Sequence, residues 1–314
     1  MKTRNLLLAC GFAVVLIGVT AAITFSIAQN TEEQDGSFYE SLNPDVLQFD
    51  QMTQYIHDIE LPKTMDFCGE AVPLDRFYVR ESLERELLVN AYRHASTLLL
   101  LKRTTRWFPV IEPILRKNKL PEDFKYLAMI ESDLTNAVSP SKAVGFWQFL
   151  EGTGKQYDLE IYKEVDMRYH QEKETQAACS FLNDLYRKFK SWTLAAAAYN
   201  CGGGRISRTI DEQQVTSYYD MLLPTETERY VYRILAFKLI TENPEKYGFH
   251  ISDEGWYQPL EYKTITVTES IEDLAQFAID QGTNLKMLKY YNPWLRSNSL
   301  TISEGNSYTI KLPK

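Results

Sequence analysis

LPEDFKYLAMIESDLTNAVSPSKAVGFWQF, residues 120–149, is the stretch whose reading decides the fold. Pro121 suits the first position of a helix, where its missing N–H costs nothing, and Glu122 and Asp123 favour the positive helix end. The pattern predicts a helix starting at 121. Phe124, Leu127 and Ala128 recur at the i, i+3, i+4 spacing of a buried face, and the next member of that series is Glu131. A carboxylate therefore falls on the apolar stripe, near the negative helix end and ahead of Asn136 and a turn at Ser139 and Pro140. Desolvation and the helix dipole both disfavour its ionised form, so a raised pKa is expected. A carboxyl group that stays protonated near neutral pH is what a general acid needs to protonate a glycosidic oxygen. The alternative is a helix frayed by residue 131, with Glu131 in water.

The residues that follow narrow the choice. Glu131 and Ser132 are succeeded by Ala137, Ser139, Ala143, Gly145, Trp147 and Gln148, then by Ala198, Tyr199 and Asn200 ahead of three glycines, and finally by Glu226, Thr227 and Tyr230. This order resembles the lysozyme-like lytic transglycosylases, in particular the group named after membrane-bound lytic murein transglycosylase D. In that family a Glu-Ser pair, a Gly-x-Trp-Gln-Phe segment, an Ala-Tyr-Asn segment and a Glu-Thr…Tyr segment line the sugar groove. All four motifs are present, and the resemblance covers residues 70–247.

The resemblance implies a lysozyme-like helical domain over 70–250, with a catalytic core at about 110–245. It implies Glu131 as the catalytic residue and Ser132, Gln148, Tyr199, Asn200 and Tyr230 as substrate-binding residues, with no metal or other cofactor. It also implies non-hydrolytic cleavage of the bond between N-acetylmuramic acid and N-acetylglucosamine, leaving a 1,6-anhydro end. Many glycosidases use two carboxylates, whereas these motifs supply one. Asp133 is two residues from Glu131 and projects to another side of the helix. Asp158, Asp166 and Glu172 lie outside the motifs. A hydrolytic muramidase on the same fold and a non-enzymatic wall-binding protein are the alternative readings. His170 pairs with nothing in a known catalytic geometry and is read as a structural or surface histidine.

The rest of the chain frames this core. A net charge of −8 argues against a nucleic-acid partner. Hydrophobic residues at 44% and aromatic residues at 13% suffice for a packed core, and tyrosine and tryptophan suit stacking on sugar rings. Cys68, Cys179 and Cys201, with Cys10 in the leader, form neither a disulfide framework nor a zinc site. Lys2 and Arg4 precede an apolar run over 6–27, so residues 1–28 read as a cleaved signal peptide or a membrane anchor. Either version, like the superficial lipoprotein box at Cys10, places the body outside the cytoplasm, in the periplasm or membrane-associated envelope, where peptidoglycan glycan strands are the partner. Residues 29–69 read as a tether with a short helix at 50–59.

Apolar spacing predicts helices over 81–106, 111–117, 172–188, 192–200 and 226–241, a turn at 151–154, and a cap made by the glycines at 202–204. Beyond 248 the composition changes. Two β-branched or alternating segments, 264–267 and 307–312, bracket a helix opened by Ser270 and a second started by Asn284. This βααβ order over 262–314 resembles a LysM module, which implies peptidoglycan binding. Thr268-Glu269-Ser270-Ile271 replaces the usual Gly-Asp-Thr-Leu, and a small domain that packs without binding sugar is the alternative. The fold class expected is mainly α with a small α+β module.

Overall fold

The computed structural model describes residues 58–314, so the leader expected at 1–28, the tether up to residue 57 and most of the helix expected at 50–59 lie outside the described residues. A small antiparallel hairpin, β1 (Asp66–Phe67) and β2 (Glu70–Ala71), opens the described chain. It was not legible from strand alternation because each strand has two residues. The chain reverses through Cys68 and Gly69, both at positive φ.

Helix α1 (Phe77–Ala91) and helix α2 (His94–Lys117) replace the continuous helix expected over 81–106. The chain bends at Tyr92 and Arg93, and the carbonyl of Asn90 freed there accepts from the buried Thr97 hydroxyl at 2.6 Å. The bend lets Leu83 and Leu87 share a core with Leu100 and Leu101, all of them buried. Pro109, which falls in the break expected between helices at 81–106 and 111–117, lies inside α2 together with Pro113. Each proline removes one intrahelical hydrogen bond, and the buried stripe of Phe108, Ile111 and Leu115 carries the helix past them.

Helix α3 (Phe124–Ser132) begins three residues after Pro121. Pro121 instead opens a turn in which the Phe124 N–H donates to its carbonyl at 3.3 Å. Phe124, Leu127 and Ala128 are fully buried, as the spacing required. A short helix, α4 (Glu151–Gln156), stands where a turn was expected, and a 3-10 turn, Met167–Tyr169, leads into α5 (Gln171–Phe189).

Helix α6 (Trp192–Cys201) runs through the core, with Ala195 to Ala198 all fully buried. Its small side chains let neighbouring backbones approach. Its N-terminus is held by Glu70, whose carboxylate accepts from the Trp192 N–H at 2.5 Å and the Thr193 N–H at 3.0 Å. Only Gly202 of the three glycines has positive φ; Gly203 and Gly204 begin helix α7 (Gly203–Gln213), which was not expected. Helix α8 (Thr225–Glu242) packs on both α1 and α3.

The C-terminal module follows. Strand β3 (Tyr262–Val267), helix α9 (Leu274–Asp280), helix α10 (Leu285–Tyr291) and strand β4 (Tyr308–Pro313) form the expected βααβ order, with β3 and β4 antiparallel and Ile265 opposite Ile310. The cap of α9 is Asp273, which accepts from the Ala275 and Gln276 N–H groups, and not Ser270. Ser270 instead accepts from the Ile302 N–H at 2.9 Å. Asn284 caps α10 as expected.

The module is seated on the segment between α4 and α5. The Asp166 N–H donates to the Trp294 carbonyl at 3.0 Å, and the Arg296 N–H donates to the Glu164 carbonyl at 2.8 Å. The Glu164 carboxylate accepts from the Ser299 hydroxyl and the Thr301 N–H, and Lys311 pairs with Glu172 at 2.5 Å. His170 stacks on Trp294, in keeping with a structural histidine.

Candidate active site

Glu131 occupies the last turn of α3, two residues before the backbone passes into the left-handed region at Asp133 and Leu134 (φ 52° for both). That reversal ends the helix and turns the chain toward residues 137–149. Glu131 is half-buried. Burial pushes its carboxyl up to about 7, and the nearby Glu226 charge adds to the rise. The Tyr230 hydroxyl, which donates to Glu131 Oε1, and the Arg233 charge oppose it. The group therefore sits where it can release and regain a proton near neutral pH.

Tyr230 and Arg233 lie one turn apart on α8. Arg233 approaches the fully buried Glu86 of α1 at 3.8 Å, and Arg229 binds the same carboxylate at 2.6 Å. An ion-paired cluster thus ties α8 to α1 on the side of the helix next to the acid.

The loop over 145–148 is held to three helices. The Ser132 hydroxyl is buried and donates to the Phe146 carbonyl at 3.0 Å. Tyr199 donates to the Trp147 carbonyl at 2.7 Å, and the Trp147 indole donates to the Thr175 hydroxyl at 2.9 Å. The Trp147 N–H donates to Glu174 Oε2 at 3.2 Å. Gln148 has positive φ (50°), and its side-chain amide donates to the carbonyls of Ala137 and Gly145 at 3.1 and 2.8 Å. Asn200, at the end of α6, accepts from Thr227 at 2.8 Å.

The expected site residues have different immediate tasks. Tyr230 contacts the acid, while Ser132 and Tyr199 turn their hydroxyls inward onto the loop. Gln148 closes the loop on itself, and Asn200 joins α6 to α8. Trp147 is fully buried and supports the loop from beneath. Asp133 is exposed, Asp166 pairs with the Arg168 guanidinium at 2.7 Å, and Glu172 pairs with Lys311. Glu174 was missed, although it lies four residues before Ala178 on the apolar stripe of α5. The logic that found Glu131 would have found it.

Comparison with known proteins identifies the domains that carry these residues. Residues 108–222 match the family described as "Transglycosylase SLT domain". The chain carries an SLT transglycosylase domain. Residues 263–314 match the "Soluble lytic transglycosylase C-terminal LysM-like domain", so the SLT domain is followed by a LysM-like one. Membrane-bound lytic murein transglycosylase D from two strains of Escherichia coli is 28% identical over 242 residues, covering 75% of this chain and 52% of the relative. The chain thus spans about half the length of these relatives. Among solved structures, an inactive mutant of the lytic transglycosylase Slt from Pseudomonas aeruginosa aligns over 57% of this chain and 35% of its own, with TM-score 0.36 and 16% identity. No helix among the described residues is long and apolar enough to cross a membrane.

Proposed function

We infer that the chain is a peptidoglycan lytic transglycosylase in which Glu131 acts first as acid and then as base. The observation that carries this reading is the half-buried Glu131 carboxyl, raised to about 7 and contacted by Tyr230, within an SLT domain. Glu131 protonates the bridging oxygen as its bond to C1 of N-acetylmuramic acid breaks. The N-acetyl oxygen of the sugar shares the positive charge at C1, a role that a second carboxylate plays in other glycosidases. The C6 hydroxyl then bonds to C1 while its proton passes to the Glu131 carboxylate. Water is neither added nor lost, and the product ends in 1,6-anhydromuramic acid.

Around this centre, Gln148 and Asn200 are the groups proposed to hydrogen-bond the sugars' N-acetyl and hydroxyl groups. Tyr199, Tyr230 and Ser132 hold the loop and the acid in place. The SLT domain is assigned to 70–250, within which 110–245 forms the catalytic core, and the LysM-like module to 262–314. The leader expected at 1–28 and the likeness to membrane-bound lytic murein transglycosylase D support a location in the cell envelope, with glycan remodelling or turnover as the role.

Mass spectrometry of the soluble muropeptides released from purified peptidoglycan tests the reading. Products about one water lighter than reducing-end fragments are expected. Reducing ends would overturn it in favour of a hydrolase, and wall binding without release would overturn it in favour of a non-enzymatic binder.

A further inference from the structure

We propose that Glu174 is a positioning residue for the reaction: its carboxyl group, seated in the space that a glycine at 145 leaves, fixes the 145–148 loop that carries Gln148 and braces the end of the acid's helix. The proposal rests on the lytic reading above and adds a residue that none of the four motifs contains.

The fit is steric as well as polar. A Cβ at Gly145 would lie 2.3 Å from Glu174 Oε2 and 1.9 Å from the Arg168 carbonyl, and Gly145 has φ +86°. Glycine is thus required at 145 both by the Arg168 backbone and by the Glu174 side chain. Glu174 is fully buried, its Oε2 accepts from the Trp147 N–H, and the Phe146 N–H also faces the carboxyl group. Ser132 of α3, Thr175 of α5 and Tyr199 of α6 hold the same two residues by other atoms. Losing the Glu174 contact would leave a buried backbone donor without a partner at the centre of this arrangement.

The neutral acid is the form this site accommodates. Glu174 Oε1 is buried and has no hydrogen-bond partner, so a charge there would be poorly solvated. Burial first, and the Asp166 and Glu172 charges after it, push the carboxyl well above its ordinary range against the two N–H groups. The nearby basic side chains are directed elsewhere. Arg168 bonds Asp166 and the carbonyls of Lys142 and Phe149, while Lys311 and His170 face Glu172. Ionisation of Glu174 therefore works against the loop, and neutrality preserves it.

Two substitutions in the full chain test this. Glu174→Gln keeps the shape and an acceptor but cannot ionise; Glu174→Met keeps the bulk and removes the acceptor. At neutral pH the glutamine variant is expected to release muropeptides within about threefold of the parent, and the methionine variant about tenfold or more slowly. Hydrogen exchange of the peptides spanning 145–149, corrected for the intrinsic pH dependence, supplies a readout that a general loss of stability would not confine to this segment. Protection there is expected to fall with rising pH in the parent and to stay level in Glu174→Gln. A folded Glu174→Met with parental rate and protection would overturn the proposal, as would a Glu174→Gln variant that loses protection with the parent. If Glu174→Met does not fold, the exchange comparison between the parent and Glu174→Gln decides. If the parent itself releases no muropeptides, the lytic reading falls, and the exchange comparison still decides the role of Glu174.

Discussion

Tyr230 donates its hydroxyl hydrogen bond to Glu131 Oε1 across 99 positions of sequence, so the acid of α3 is paired by the face of α8 turned toward it. The bond stabilises the carboxylate while burial stabilises the acid, and the balance lies at about 7. In the proposed reaction the same contact would serve both halves, because an acid that is hard to ionise would be slow to give its proton and one that ionises freely would arrive without it.

Tyr230→Phe removes the donor and leaves the ring. The Glu131 pKa is then expected to rise above 7, moving the alkaline limb of the pH–rate profile to higher pH, because the protonated acid persists longer. Loss of a hydrogen bond to a charged group is worth about 1.5–3 kcal/mol, so the rate at neutral pH should fall roughly tenfold or more. A profile that keeps its parental limb would show that the hydroxyl does not govern the acid.

Two charged neighbours should displace the same limb in opposite directions. Arg233 favours the Glu131 carboxylate and Glu226 disfavours it. Arg233→Met is expected to move the limb toward higher pH, while Arg229 still binds Glu86. Glu226→Gln is expected to move it toward lower pH. Rates of muropeptide release between pH 5 and 9, a range set roughly by ordinary carboxylate and shifted values, check both signs. Displacement of both variants in one direction would refute the electrostatic account.

Glu131→Gln should abolish release and stabilise the fold at alkaline pH. The carboxyl moves from 4.5 to about 7 on folding, so the folded protein holds its proton longer than the unfolded chain. Stability is then fully present below 4.5 and declines as pH rises toward 7. The amide escapes this decline. Discounted for the half-exposure of the site, the gain at pH 8 is about 1 kcal/mol, or roughly 2–4 °C in Tm. Thermal melts at pH 4 and pH 8 check it, since the gain should appear only at the higher pH.

What was legible in the sequence was local and periodic. The stripe through Phe124, Leu127 and Ala128 located Glu131 and gave the direction of its pKa shift, and the capping signal at Asn284 located α10. What was not legible depends on contacts distant in sequence. Continuation of α2 through Pro109 depends on its buried stripe outweighing the lost hydrogen bonds. The bend at Tyr92 depends on Thr97 taking a freed carbonyl. Ser132 reads as a groove residue beside the acid until the Phe146 carbonyl, 14 positions away, takes its hydroxyl inward. Gly145 reads as a motif glycine, and only the packing of Glu174 and the Arg168 carbonyl explains why nothing larger fits.

The seat of the LysM-like module should be acid-sensitive through Glu172. Burial alone would raise this carboxyl, but His170 and Lys311 outweigh burial and hold it at about 2. A carboxyl depressed on folding contributes stability that is present above 4.5 and lost as pH falls toward 2. His170 lies beside Glu172 in the SLT domain, whereas Lys311 belongs to β4, so the Lys311 share of this stability belongs to the contact between the two domains. Lys311→Met removes the cation and leaves His170 facing a half-buried carboxylate, whose pKa should climb. The acid-induced transition, followed by tryptophan fluorescence that includes Trp294 stacked on His170, is therefore expected to begin at higher pH in the variant. The cost at neutral pH should be about 1 kcal/mol or less, because the pair is partly exposed. A transition at the parental pH would mean that the backbone bonds between Glu164, Asp166 and the module carry the seat without the ion pair.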